Sequence, residues 1–362
     1  MFYYFLYPLH EHNIFFNVFR YQTFRAAMAA VTAFLICILF GPSIIRILSG
    51  LGATGSTERQ HADKIHNLYK GKDKVPTMGG VLIILALLVS NLLWADPLNR
   101  FVLLILAVIV WYGALGFVDD FLKVKYKNTK GVPARVKLIG QIVLALLFAL
   151  YLYFDPSFDT KLSIPFFKTV ALTLGLFYIP FVMCVMVGSS NAINLTDGLD
   201  GLAIGCFALA VGTFAIICYL VGNSIFAGYL QMRYIEGAGE MAVVCASMVG
   251  AGVGFLWWNA YPANVFMGDT GSLSLGGALG AIAIFAKQEL VLLIVGGVFA
   301  WEAFSVILQV VSFKLRKKRI FLMSPFHHHL QLKGLPESKV TIRLWIIALI
   351  LAFIGLSTLK LR

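Results

Sequence analysis

The chain has 362 residues, of which 60% are hydrophobic and 13% charged, and its net charge is +12. Soluble domains are roughly 25% charged, so with a mean hydropathy of +0.86 these values exclude a water-soluble globular protein. They indicate a polytopic membrane protein, with lipid as the solvent and each span's backbone polar groups satisfied internally.

The N-terminal stretch MFYYFLYPLHEHNIFF has no basic region and no small-residue cleavage site. It reads as an aromatic segment lying at the membrane interface rather than as a leader. Apolar runs able to cross ~30 Å of hydrocarbon follow at 22–48, 76–95, 100–119, 137–154, 168–188, 199–221, 238–258, 270–287, 290–313 and 340–358. The expected fold is therefore an all-α integral membrane protein of about ten transmembrane helices. No long linker, low-complexity tract or repeat divides the chain, so residues 1–362 are taken as one polytopic domain. Five cysteines (37, 184, 206, 218, 245) lie inside apolar runs without metal or disulfide spacing, as small buried residues do.

Ten crossings leave both termini on one side. The odd-numbered loops carry seventeen Lys and Arg (Arg59, Lys64, Lys70, Lys72, Lys74, Lys123, Lys125, Lys127, Lys130, Arg135, Lys314, Arg316, Lys317, Lys318, Arg319, Lys333 and Lys339). The even loops and termini carry eight (Arg20, Arg100, Lys161, Lys168, Arg233, Lys287, Lys360 and Arg362). The positive-inside rule makes the odd loops cytoplasmic and both termini external.

Ten aspartates occur in the chain, and five of them sit in three apolar motifs next to odd loops. Asp119 and Asp120 end the third run, where two like charges at a hydrocarbon edge are costly and a carboxylate at a helix C-terminus opposes the macrodipole. Beside Lys123 they can hold Mg²⁺ against phosphate oxygens, or one can accept a proton. Asn191, Asn194, Asp197 and Asp200 open the sixth run, with Asn194, Asp197 and Asp200 at a three-residue spacing that one helical turn would present together. The spacing does not fit an EF-hand loop. Asn259, Phe266, Gly268, Asp269 and Gly271 form a third motif, with glycines for close approach to a ligand and an aromatic ring to stack a base. His327, His328 and His329 follow Pro325 and Phe326 in the most basic loop; adjacent side chains cannot close a zinc site alone, and a diphosphate- or sugar-binding surface is more natural. Lys314 to Arg319 reads as a membrane-surface anchor, and Gly250, Gly252 and Gly254 as a helix-packing face. Glu302 stands alone in an apolar helix. Carboxylates, cations and a membrane wall together fit Mg²⁺-assisted phosphoryl transfer between a soluble nucleotide substrate and a lipid phosphate.

At these residues the chain resembles the polyprenyl-phosphate N-acetylhexosamine-1-phosphate transferases. PTMGG (76–80), FVDDFLK (117–123), NLTDGLDGL (194–202), FMGDTGSL (266–273), PFHHH (325–329) and the C-terminal RLWIIALILAFIGLSTLKLR follow in order, covering the chain from the first span onward. The His triplet is similar to the branch that carries phospho-MurNAc-pentapeptide rather than GlcNAc-1-phosphate. The resemblance implies transfer from UDP-MurNAc-pentapeptide to undecaprenyl phosphate, yielding UMP and lipid I at the bacterial cytoplasmic membrane. It implies Mg²⁺ held by Asp269, Asp119 as the base with Asp120 beside it, and His328 in the catalytic set. Lys72, Gly198, Leu199, Asp200, Asn259 and Phe266 would form the uridine pocket. Thr77, Lys123, Asn194, Asp197, His327 and His329 would line the diphosphate and sugar side. Expected partners are the two substrates, the bilayer and a second copy of the chain, with no nucleic acid. Direct transfer and a two-step route through a carboxylate nucleophile both remain open.

Three positions depart from the family pattern. Lys72 and Lys74 both precede Pro76, so either can fill the family lysine's place; Gln331 stands where an acidic residue is usual, and Arg135 where a lysine is common. The rival readings are a UDP-GlcNAc-dependent transferase and, in another class, a transporter or flippase. Transporters place intramembrane carboxylates near the midplane between inverted repeats, whereas here they cluster at one face.

Overall fold

The computed structural model describes residues 1–53, 72–126, 131–167 and 171–360. Arg59, Lys64, Lys70, Lys127, Lys130, Lys168 and Arg362, which enter the charge count, lie outside the described residues. The N-terminal segment folds as a short helix α1 (Phe2–Leu6) and 3-10 turns, then come α2 (Gln22–Gly50), α3 (Gly80–Trp94), α4 (Arg100–Lys125) and α5 (Ala134–Phe154). A two-stranded antiparallel hairpin, β1 (Lys161–Ser163) and β2 (Ala171–Thr173), pairs Leu162 with Leu172. Then follow α6 (Tyr178–Thr196), α7 (Leu202–Val221), α8 (Ser224–Leu230), α9 (Gly239–Asn259) and α10 (Gly268–Phe285). The chain ends with α11 (Glu289–Val295), α12 (Gly297–Arg316), α13 (Phe326–Leu332) and α14 (Glu337–Lys360).

Among the described residues, eight helices are long and apolar enough to cross a membrane: α2, α4, α5, α6, α7, α9, α12 and α14. The remaining two expected segments are the shorter apolar α3 and the buried, Gly-rich α10. The protein is an all-α, multi-pass membrane protein. Both Met1 and Lys360 meet loops that the sequence reading counts as even. The Met1 amine donates to the carbonyls of Leu92 (2.8 Å) and Leu93 (3.1 Å), the Tyr4 hydroxyl to Asp96 (2.7 Å), and the Lys360 ammonium lies 3.9 Å from the Tyr229 ring centre. On the same side the buried guanidinium of Arg25 pairs in two-pronged fashion with Glu240, tying α2 to α9.

Local chemistry moves several boundaries from where hydropathy places them. The third run does not stop at Asp119, because α4 continues to Lys125 and carries Lys123 and Lys125 in its last turn, where cations complement the macrodipole. The fifth does not begin at 168. Pro165 lies in the connection between β1 and β2, and Gly175, just past β2, takes φ 52 before the helix starts. The ninth breaks at Gly296–Gly297 into α11 and α12, since paired glycines leave the helix without side-chain support. Four cysteines are buried as expected, but Cys184 is exposed.

The core is built on α9, which packs against α2, α7 and α3, and on α10, which packs against α4 and α6. In lipid such contacts depend on close packing rather than on the hydrophobic effect. A Cβ added at Gly250 would lie 2.0 Å from the Ala30 carbonyl oxygen, whereas at Gly252 the nearest atom would be 3.6 Å away. Gly250→Ala should therefore cost about 1–3 kcal/mol through overpacking and Gly252→Ala close to nothing. Thermal unfolding in detergent checks this; equal melting temperatures for the two variants would disprove that the α2–α9 seam requires glycine.

Candidate active site

Two helices bring the acidic motifs together. Asp119 and Asp120 lie on α4, almost fully buried, and Asp269 lies in the first turn of α10, where the macrodipole favours a carboxylate. The approach is backbone-close. A Cβ at Gly116 would fall 2.2 Å from the Asp269 carbonyl oxygen. Gly268 takes φ 74, and a Cβ there would fall 2.6 Å from Asp120 Oδ2 and 3.0 Å from Thr77 Oγ1. Both glycines are steric requirements of the site.

The three carboxylates present oxygens within 4.8 Å of one another. Lys123 Nζ lies 2.6 Å from Asp119, 3.1 Å from Asp269 and 3.8 Å from Asp120. Lys137 Nζ lies 2.7 Å from Asp269 and 3.5 Å from Asp119. Neutral donors complete the cluster. Asp120 Oδ2 accepts from the Thr270 N–H (2.9 Å) and hydroxyl (2.8 Å), Asp119 Oδ1 from the Val132 N–H (2.7 Å), and Asp269 Oδ1 from the Asn194 amide (2.7 Å). Three carboxylates against two ammonium groups leave one negative charge in excess. An all-oxygen donor set with oxygens this close together suits a hard divalent cation. The residues fit such an ion.

The NLTDGLDG segment does not open α7 as one helical turn. Asn194 lies in the last turn of α6, Asp197 is its C-cap, and Asp200 sits in the turn beyond, just before the left-handed Gly201 (φ 72) that N-caps α7. The motif is therefore split between two neighbourhoods. Asn194 serves Asp269, while Asp200 Oδ1 receives Lys72 Nζ at 2.6 Å and its Oδ2 the Ala263 N–H at 3.1 Å. Of the two candidate lysines, Lys72 faces Asp200 and Lys74 is exposed. Around Lys72 stand the rings of Tyr261 and Phe266, each 5.9 Å from its ammonium. Buried Asn259 accepts from the Gly201 N–H (3.1 Å) and donates to the Val265 carbonyl (2.8 Å), and Leu199 is buried alongside. Crowding by protein atoms, then the carboxylates of Asp269 and Asp120, push the Asp197 carboxyl up to about 8.

The histidine triplet begins α13. His327 is buried against Gly198, whose added Cβ would fall 2.3 Å from its Nε2. Glu302, unaccounted for in the sequence, anchors this turn: its carboxylate is fully buried, accepts the His327 N–H at 3.2 and 3.3 Å, and lies 3.2 Å from His327 Nδ1. His328 Nδ1 stands 3.0 Å from Gln331 Oε1, the family-departing residue. His329 Nδ1 accepts the Leu322 N–H (3.1 Å), and burial and Lys333 lower its pKa.

The fold and this geometry meet the comparisons with known proteins. Residues 102–287 match the model of glycosyl transferase family 4. Phospho-N-acetylmuramoyl-pentapeptide-transferases from Geobacter sp. (strain M21) and Citrifermentans bemidjiense are 54% and 53% identical over 362 residues, covering all of both chains. The protein of that name from Pelobacter propionicus is 51% identical over the same span. The chain belongs to the phospho-N-acetylmuramoyl-pentapeptide-transferase family. The matched block of this transferase contains both acidic helices and the NLTDGLDG turn, so it holds the three-aspartate cluster complete.

Two residues at this transferase's site escaped sequence reasoning. Lys137 reads as the first residue of an apolar span, and its position in the first turn of α5 was the available signal. Glu337 reads as an ordinary acid at a helix start. Its partners are 137 and 265 residues away.

Asp197 yields a pH test. Its folded carboxyl holds a proton up to about 8, whereas an unfolded one releases it near 4. Between those values the unfolded state binds fewer protons, so stability falls as pH rises. Asp197→Asn cannot ionise and should gain on the wild type across about pH 4–8 when melting is followed in chelator. Parallel melting curves for the two proteins would remove the raised carboxyl.

Proposed function

We propose that the protein transfers phospho-MurNAc-pentapeptide from UDP-MurNAc-pentapeptide to undecaprenyl phosphate, releasing UMP and forming lipid I. The seat of this reaction is the cytoplasmic face of the bacterial inner membrane. The carrying observation is the convergence of Asp119, Asp120 and Asp269 with Lys123 and Lys137, in a chain whose full-length relatives bear the transferase's name. A cleft of about 720 Å³ supports the lipid substrate. It runs along α6 from Phe181 through Val185 to Ile193 and is walled by Trp301, Phe304 and Ile307 of α12. Its Ile193 end adjoins Asn194, the residue bonded to Asp269, so an apolar chain lying there would bring its phosphate to the acidic cluster.

In this reading Asp119 takes the proton of the lipid phosphate. One oxygen of that phosphate bonds to the phosphorus bearing the sugar, and the bond from that phosphorus to the bridging oxygen breaks. UMP leaves with that oxygen and its electron pair. Asp269 and Asp120 would hold Mg²⁺, which supplies charge neutralisation at the diphosphate oxygens. Asp120, fixed by two bonds from Thr270, is suited to hold rather than to move a proton. Lys123 and Lys137 offset charge gathering on the transferring phosphoryl group. Lys72, Asp200, Asn259 and Phe266 receive the uridine.

Purified protein supplied with undecaprenyl phosphate should release UMP from UDP-MurNAc-pentapeptide and not from UDP-GlcNAc. Asp269→Asn should reduce that turnover by more than about a hundredfold, because a metal ligand counts for more than its outer partners. UMP release from UDP-GlcNAc alone would assign the chain to the other sugar. Transport of a labelled solute without UMP release would refute transferase chemistry altogether.

A further inference from the structure

We infer that Glu337 is a positioning residue for the nucleobase, holding Lys72 so that the pocket selects uracil over cytosine. The inference rests on the uridine reading of the Lys72–Asp200 pocket and deepens it. Glu337 Oε1 accepts from Lys72 Nζ at 2.6 Å, the distance Lys72 also keeps to Asp200 Oδ1, and from the Asp200 N–H at 2.8 Å. One carboxylate oxygen thus fixes both members of the pair, and its side chain is only 10% exposed.

The grip does not end with Glu337. Thr341 donates to the Asp200 carbonyl (3.3 Å), and Trp345 Nε1 to the Gly201 carbonyl (3.2 Å). Residues 337, 341 and 345 recur every four positions and so share one face of α14. A Cβ at Gly205 would fall 2.2 Å from Trp345, so α7 is drawn tightly onto that face. The last helix is therefore a rail along which the Asp200–Gly201 corner is registered, and Glu337 is where the rail reaches the ligand pocket.

The chemistry follows from the charge. An ammonium donates and never accepts. Held between two carboxylates, Lys72 meets a base edge that offers a carbonyl and is mismatched to one that offers an amino group. Uracil presents O4 where cytosine presents an amine. Without Glu337 the ammonium loses an anchor and has more directions to take.

The full-length protein in detergent tests this with UMP and CMP as titrants and with substrate kinetics. Glu337→Gln should raise KM for the UDP-linked substrate about tenfold, the worth of one charge-assisted hydrogen bond, with kcat within about twofold. Its preference for UMP over CMP should fall by a similar factor. Glu337→Asp keeps the charge at the start of α14 but withdraws it by one methylene, so it should behave like Glu337→Gln. Wild-type KM and base preference in Glu337→Asp would mean that the residue serves only the helix end and would overturn the inference. Lys72→Ala separates the two levels. If it weakens UMP binding while both Glu337 variants bind normally, only the role of Glu337 falls. If all three bind UMP as the wild type does, the uridine reading of the pocket falls and the inference with it.

Discussion

Three carboxylates held with oxygens inside 4.8 Å repel one another, and most of this structure can be read as the means of keeping them there. Two lysines from different helices supply the opposing charge, and Thr270, Val132 and Asn194 supply directed hydrogen bonds. Neither would suffice if α4 and α10 stood at an ordinary helix–helix distance. Gly116 removes the side chain that would strike the Asp269 carbonyl, and Gly80 does the same against the backbone of Gly271 on the opposite flank of α10. The Gly-rich character of α10, which makes it a poor span by hydropathy, is what lets its N-terminus reach the acidic pair.

That requirement also orders the rest of the membrane domain. α10 is enclosed by α4, α6 and α3, and its residues from Thr270 to Phe285 are buried without exception. A helix so enclosed can carry serines and glycines because its neighbours, not lipid, supply its surroundings. Ser272 and Ser274 return hydrogen bonds to the Gly268 and Ile109 carbonyls, and Ser190 of α6 donates to the Leu273 carbonyl. Helices facing lipid, such as α2 and α12, keep exposed Leu, Ile and Phe instead.

What the sequence discloses and what it hides divide along range. Spans and the three acidic motifs are local patterns, and all five motif aspartates come to the site region. Boundaries set by hydropathy fail where polar residues continue a helix: α4 passes through Asp119 and Asp120 because Lys123 and Lys125 complete its last turn. The strand β2 (Ala171–Thr173) falls inside the run that hydropathy assigns to the fifth span, and Gly175 just beyond it is the local mark that the helix has not yet begun. Lys137 and Glu302 stand out locally only as charges in apolar helices, and Glu337 not at all; none of the three shows its role in the sequence. Each is defined by a partner on a distant segment: Asp269 for Lys137, His327 for Glu302, Lys72 for Glu337.

The turn between α6 and α7 shows why the motif spacing is what it is. Asn194 binds Asp269 at the acidic cluster, and Asp200, six residues on, binds Lys72 in the second pocket. Those six residues are the covalent distance between the two neighbourhoods. A helical reading would stack Asn194, Asp197 and Asp200 on one face and merge the pockets into one. The turn prevents this: α6 ends at Thr196, the left-handed Gly201 starts α7, and His327 is packed into the space that Gly198 leaves. The Lys72–Asp200 pocket and the three-aspartate cluster are thereby kept apart at fixed separation, which the proposed function requires of a site for a substrate with a nucleoside at one end and a reacting phosphorus at the other. The registration comes from outside the turn, from Glu302 acting on α13 and from Glu337, Thr341 and Trp345 of α14. The segment from Glu302 onward, which holds no aspartate, is what makes the spacing of the motifs before it a ruler.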